Sequence, residues 1–262
     1  MTTDTRAYLA PISADFPQVR QATDDDVAYI HSWLQTQHAA DVPGTFMCNW
    51  NQTLEVHAEG RLVVYADPAT NLAVGYQWGG LLRPGIMEVR ADLRGRGIGK
   101  ILAQYCLAQA WAKDEDVLYI QCKPSTSIPF WQRMGFQLLG ADDSAKKYAY
   151  RIVPRPLTLP EGIPERVRIE FFAEDRIWNP DFQAFSAFTP PAVRDEYGDI
   201  WLAERVHVFD RGYEQYETIR DIVVRVEIDG KEVLLGKVKH EEALNMGFTE
   251  CVNGFYVDVL ST

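Results

Sequence analysis

The residues best placed to do chemistry lie in one stretch, Ile86 to Lys100, which reads IMEVRADLRGRGIGK. A short apolar run suited to a strand carries a single acid, Glu88. Arg94-Gly95-Arg96-Gly97-Ile98-Gly99 follows, and then a helical pattern. Glycines at 95, 97 and 99 let the backbone turn tightly with no Cβ in the way. First-turn amides of a helix have no intrahelical acceptor, and the helix dipole puts partial positive charge at the same end. Strand, glycine turn and helix start therefore make an anion site that a pyrophosphate fits. Arg94, Arg96 and Lys100 add formal charge for phosphate. Two better-known phosphate loops are excluded. A Walker loop needs G-x-x-x-x-G-K-[ST], whereas Gly99-Lys100 is followed by Ile101. A dinucleotide fingerprint needs G-x-G-x-x-G, and counting from Gly95 or Gly97 lands on Lys100 or Leu102.

Those residues need elements to hold them. Thr23 with Asp26 forms a capping pattern before Val27, Ile30 and Leu34, which share one helical face. Gln52–Glu59 reads as a second, short helix. Leu62–Tyr65 and Leu72–Trp78 read as strands around the turn signal Asp67-Pro68, and Ile86–Arg90 follows the Arg83-Pro84-Gly85 turn. Ile98, Ile101, Leu102, Tyr105 and Gln109 recur at helical spacing; Val117–Cys122 reads as a strand, Ser125–Met134 as a helix and Lys147–Val153 as a final strand. The remainder is mostly strand: Arg166–Phe172, Ile200–Phe209, Ile222–Ile228, Val233–Val238 and Phe255–Leu260, with Asp229-Gly230 as a hairpin turn and a helical turn or two at Glu241–Met246.

The chain has 262 residues, 47% hydrophobic and 24% charged, which is an ordinary globular balance. Pro154–Pro164 carries four prolines in PRPLTLPEGIP and reads as an extended linker between residues 1–153 and 165–262. Charge shifts at the same place. Met1–Val153 holds 14 Lys+Arg against 16 Asp+Glu, whereas Pro154–Thr262 holds 12 against 21. The overall net charge of −11 argues against a general nucleic-acid binder, which needs cations to displace counterions. No apolar run reaches the roughly 18–20 residues of a membrane span, and Met1 to Asp15 has no signal-peptide core. Cys48, Cys106, Cys122 and Cys251 lie far apart, and the five histidines lack ligand spacing. No metal site or disulfide framework is expected, and a cytoplasmic protein with reduced thiols is.

The segment Arg94 to Gly99 resembles the R/Q-x-x-G-x-G/A acyl-CoA loop of the GNAT superfamily of N-acyltransferases. Val89 stands five residues before Arg94, and Phe130-Trp131-Gln132-Arg133-Met134-Gly135-Phe136 resembles the F-[YW]-x-x-x-G-F close of that family's last helix. The opening Val19-Arg20-Gln21-Ala22-Thr23 is similar to the family's start. The resemblance covers about residues 17–153 and implies an α/β fold, a mixed and mostly antiparallel sheet flanked by helices. A smaller β-rich domain of unassigned kind follows. It also implies that Val89 offers main-chain groups to a pantetheine arm, and that residues Arg94, Gly95, Arg96, Gly97, Ile98, Gly99 and Lys100 hold the pyrophosphate. The strand ending at Cys122 would splay from the Glu88–Val89 strand, with Phe130 and Trp131 beside the resulting slot.

The sequence departs from that family at two points. Many members carry a tyrosine four residues before the Gly of G-F as acid for the departing thiolate; Trp131 stands here, and an indole donates no proton at useful pKa. The usual Asn after the fifth strand is replaced by Lys123-Pro124-Ser125, with Ser125 or Ser127 as the substitute polar contact. Glu88 is the first candidate for general base; the competing reading pairs it with an arginine on the other face of the strand. Tyr119, His38 and His57 are further candidates, and Phe46, Trp50 and Trp78 could wall an aromatic acceptor pocket or simply pack. Cys106 and Cys122 have no histidine near in sequence, so no acyl-enzyme is expected. The acidic C-terminal part could steer a cationic amine, support a homodimer or other partner through its strand edges, or be solvated surface. The resemblance thus implies an N-acetyltransferase that moves an acetyl group from acetyl-CoA to a small-molecule or peptidyl primary amine, cationic in type, by direct attack. The alternative is a non-catalytic acyl-CoA-binding module that regulates through its C-terminal part, as the missing tyrosine and asparagine would suit.

Overall fold

A computed structural model describes residues 14–82, 84–139, 147–174, 183–210, 221–252 and 254–262. Arg83, read above as part of a turn, and the N-terminal segment 1–13 lie outside them. Two units separate, Met1–Val153 and Pro154–Thr262.

In the first unit, β1 (Val19–Gln21) leads into α1 (Asp24–Ala39). Thr23 caps that helix, its hydroxyl accepting from the Asp26 N–H while the Asp26 carboxylate accepts from the Thr23 N–H at 2.8 Å. A 3-10 turn at Met47–Asn49 precedes α2 (Trp50–Ala58), after which come β2 (Val63–Ala66), β3 (Ala73–Trp78) and β4 (Ile86–Val89). These strands form an antiparallel sheet in the order β1-β2-β3-β4. Helix α3 (Ile98–Ala112), strand β5 (Val117–Gln121), helix α4 (Ile128–Arg133), β6 (Gln137–Leu138) and β7 (Tyr148–Ile152) follow, with a second sheet ordered β5-β7-β6.

Strand alternation sorts the side chains onto two faces. Val64, Tyr76, Trp78 and Ile86 pack with Ile30, Trp33 and Leu34 of α1. Val63 and Tyr65 pack on the other face with Ile98, Leu102 and Tyr105 of α3, and Met87 and Val89 lie against that second cluster. Gly75 lets α3 come close: a Cβ there would sit 3.2 Å from Ile98 and 3.3 Å from Leu102. Both β4 and β5 end their sheets, so each presents an edge without a strand partner. Only an isolated bridge, Leu82 with Tyr119, joins the two sheets among the described residues. The sheet is thus split where the acyl slot was expected.

The second unit contains β8 (Ile163–Ala173), β9 (Ser186–Phe188), β10 (Pro191–Arg194), β11 (Ile200–Phe209), β12 (Ile222–Ile228), β13 (Lys231–Lys237), α5 (Glu241–Asn245), β14 (Thr249–Cys251) and β15 (Gly254–Leu260). Its eight strands form an antiparallel sheet ordered β13-β12-β8-β10-β11-β15-β14, with β9 on β8. Asp229 and Gly230 turn the β12–β13 hairpin with φ of 52° and 79°. Ile169, Phe171, Leu202, Val224 and Val257 form its core.

The reading of 154–164 as a linker is corrected. The Leu157 N–H donates to Ala203 O at 2.8 Å, the Arg205 N–H donates to Arg155 O at 2.9 Å, and Ile163 and Pro164 already pair with β10. Proline removes a donor but keeps its carbonyl and extended backbone, so this stretch is hydrogen-bonded, extended structure within the second unit. No helix among the described residues is long and apolar enough to cross a membrane.

Candidate active site

A cavity of about 1110 Å³ opens at the split between the sheets. Its walls come from β4, the start of α3, the end of β5 and the start of α4, and the segment from Gly44 to Gln52 closes one side. Of the residues expected at a site, the cavity gathers Phe46, Trp78, Glu88, Val89, Arg94, Gly95, Gly97, Ile98, Gly99, Lys100, Tyr119, Phe130 and Trp131.

The glycine corner has the geometry an anion needs. Gly97 sits at the N-cap of α3 with φ 87° and no side-chain cap, so the first-turn amides keep no partner from a capping side chain. A Cβ added at Gly95 or Gly97 would meet nothing within 4 Å, which leaves the approach to those amides open. Lys100 and Gly99 also line the cavity, and Phe130 covers Gly99 at 3.6 Å from where a Cβ would stand.

Glu88 projects from β4 on the α1 side of the sheet, opposite Tyr76, and is 3% exposed. The Phe46 N–H donates to its Oε2 at 3.0 Å and the Tyr76 hydroxyl to the same oxygen at 3.2 Å. Gln37 Nε2 donates to Oε1 at 3.4 Å, and the Arg94 guanidinium stands 3.7 Å from that oxygen. Burial pushes the Glu88 carboxyl up to about 7, against the opposing pull of Phe46, Tyr76, Arg94 and Gln37. Burial and the adjacent carboxylate hold the Tyr76 proton tightly, so its hydroxyl stays a donor. An acid set near neutrality on a cavity wall can take up and release a proton at physiological pH. Both readings of Glu88 meet here: it lines the cavity and has an arginine at hand.

Arg94 departs from expectation. Its side chain stays exposed and is held by backbone carbonyls: Nε donates to Val89 O at 3.0 Å and Nη1 to Pro43 O at 2.9 Å. It straps the segment at Pro43 to the edge of β4. Arg96 is exposed and outside the cavity lining.

Three other expectations are corrected. Trp50 does not line the cavity; it stacks on His31 at 4.6 Å, because the 3-10 turn before α2 rotates it toward α1. Ser125 is exposed and outside the lining, whereas Ser127 lines the cavity with its Oγ buried and unbonded within the protein. His38 is exposed, and His57 is held by Asp24 at 2.8 Å; neither reaches the cavity. Tyr119 does line it, stacked on Tyr148 at 5.6 Å. Trp131 is 9% exposed and packs edge-on against Phe130 and Phe136 at 4.8 and 5.3 Å. Cys106 and Cys122 are buried core thiols; burial pushes Cys122 up to about 11 and Cys106 higher still, so neither is a ready nucleophile. Sequence reasoning missed Tyr76 and Gln37, whose role shows only once β3 and α1 are packed against Glu88.

Comparisons with known proteins bear on this half of the chain. Residues 22–136 match the sequence model of the Acetyltransferase (GNAT) family. No curated protein matches the chain. Among solved structures, an acetyltransferase of the GNAT family from Staphylococcus aureus Mu50 is 12% identical, covering 52% of this chain and 98% of its own, with a TM-score of 0.41. A ribosomal-protein-alanine N-acetyltransferase from Brucella melitensis is 20% identical, covering 51% and 98%, with a TM-score of 0.39. A GCN5-related N-acetyltransferase from Kribbella flavida is 20% identical, covering 52% and 96%, at 0.42. With its family match, split sheet and glycine-capped helix, the segment 22–136 is a domain of the acetyltransferase (GNAT) family, and the β-rich unit after Val153 has no family assignment.

Proposed function

We propose that the first unit transfers an acyl group, acetyl in the simplest case, from acyl-CoA to a small-molecule or peptidyl primary amine. The observation that carries this is Glu88, a buried acid set near neutrality on the wall of a cavity whose other end is a glycine-capped helix start. The first-turn amides of α3, with Lys100, bind the pyrophosphate. The slot between the edges of β4 and β5 takes the pantetheine arm, bordered by Val89 and Phe130, with the Ser127 hydroxyl as a polar contact. Phe46 and Trp78 face the acceptor. Glu88 takes the proton of the amine, directly or through one water, so that nitrogen can attack the thioester carbonyl. A C–N bond forms, the C–S bond breaks, and sulfur leaves as a thiolate without an acid from Trp131; the second proton of the attacking nitrogen passes to that thiolate or to water, leaving a neutral amide. Cys106 and Cys122 take no part, so the transfer is direct.

The test is release of free thiol from acetyl-CoA across a panel of primary amines, beside calorimetry of CoA binding. Amine-dependent release supports transfer. Tight CoA binding with no release for any amine would instead support a non-catalytic acyl-CoA-binding module, and absence of both would remove the reading.

A further inference from the structure

The acceptor's chemistry can be narrowed from the cavity wall, on the reading that this cavity transfers an acyl group. Trp78 lies on β3 two pairs along from Tyr76 and Glu88, opposite Ile86, so its indole stands on the same face as the Glu88 carboxylate. It is 7% exposed, lines the cavity, and its Nε1–H has no hydrogen-bond partner within the protein. A buried donor left unbonded costs free energy comparable to a lost hydrogen bond, and such groups are rare in native folds. An indole N–H can only donate, so whatever completes it must offer a lone pair.

Charge adds a second, independent constraint. Among the described residues that line the cavity, Glu88 is the one carboxylate, whereas Arg94, Lys100, Lys123 and Arg133 are the cations that line it. A single ammonium beside Glu88 has its counter-charge. A second ammonium on the same molecule would find none, and an unpaired charge in a walled site is costly. Phe46, Trp78 and Ile86 supply an apolar and aromatic surface beside Glu88 instead.

We infer that the acceptor is a primary monoamine with an apolar, aromatic-sized body and a carbonyl-type hydrogen-bond acceptor that meets the Trp78 indole N–H. Polyamines and other dicationic acceptors are disfavoured. The amine nitrogen lies at Glu88, the apolar body lies against Phe46 and Ile86, and the carbonyl oxygen accepts from Trp78 Nε1.

The test compares phenylalaninamide, 2-phenylethylamine and spermidine as acceptors for the full chain with acetyl-CoA, read as kcat/KM from thiol release. Phenylalaninamide should exceed 2-phenylethylamine by on the order of tenfold, the discrimination one hydrogen bond supplies, and spermidine should trail both. In Trp78→Phe, which keeps an aromatic ring but no donor, the two aryl amines should become equal. If circular dichroism shows Trp78→Phe unfolded, the ranking in the unaltered chain decides alone. Spermidine outrunning both aryl amines, or a Trp78→Phe that slows both by the same factor, would overturn the inference and leave acyl transfer standing. Absence of thiol release with all three amines, with CoA bound in calorimetry, would overturn the inference together with the catalytic reading.

Discussion

Glu88 is where opposing effects meet: burial favours its protonated form, while the Phe46 amide, the Tyr76 hydroxyl, Arg94 and Gln37 favour the carboxylate, and the balance falls near 7. This has a consequence for stability. The folded chain keeps the Glu88 proton up to about pH 7, while the unfolded chain loses it near the ordinary 4.5. Between those values the folded state binds more protons, so this group's contribution falls as pH rises through the window, by up to about 3 kcal/mol, and is level above it. Glu88→Gln removes that decline. In urea denaturation, the stability of Glu88→Gln relative to the unaltered chain should therefore be more favourable at pH 8 than at pH 5. Arg94 gives a second prediction at this scale. Its charge helps hold Glu88 down, and its guanidinium ties Pro43 O to Val89 O. Arg94→Ala should move the acidic limb of the pH–rate curve to higher pH and raise the acceptor KM, both read from initial rates across pH. The presence of Arg94 was legible in the sequence; its aim was not, because a motif specifies charge and spacing but not which carbonyls lie within reach of a guanidinium.

At the scale of elements, local signals carried far. The Thr23–Asp26 capping pair, the helix from Ile98 and the Asp229-Gly230 hairpin are all set by short-range rules, and they appear where those rules put them. Strands β6, β9 and β14 span two or three residues each and escaped notice, since so short a run has no periodicity to read. Trp50 was misplaced for a similar reason: three residues of 3-10 helix before α2 change the rotation at which that helix begins. The glycine corner was the most legible part of the site, because only glycine takes φ 87° at a helix start without strain. Gly97→Val should thus cost about 1–2 kcal/mol in backbone strain and crowd the open approach to the α3 amides. Calorimetry should show CoA affinity reduced at least about tenfold, matching 1.4 kcal/mol or more of lost binding; unchanged affinity would take the helix start out of the account.

For the whole molecule, the proline-rich stretch marked the right neighbourhood of a division but the wrong kind of segment. Four prolines suit an extended, paired segment as well as a free linker, and the hydrogen bonds of Arg155 and Leu157 with the β11 backbone and the pairing of Ile163 and Pro164 with β10 tell them apart. The charge asymmetry does follow the division into Met1–Val153 and Pro154–Thr262. Every described residue of the cavity precedes Val153, so a fragment of residues 1–153 should remain folded and show a thermal shift on adding CoA. Aggregation of that fragment with no shift would mean that the β-rich unit is needed for the first to fold. The central claim is that this unit moves an acyl group to an amine with Glu88 as base, and the pH–rate curve of the full chain tests it most directly. With acetyl-CoA and an accepted amine, turnover should rise with pH through a midpoint near 7, where Glu88 ionises. Glu88→Gln should lower kcat by at least about 10²-fold, the lower end of a general base's contribution, and lose that limb. An unchanged rate with the same acidic limb in Glu88→Gln would contradict the account and leave Glu88 a structural acid.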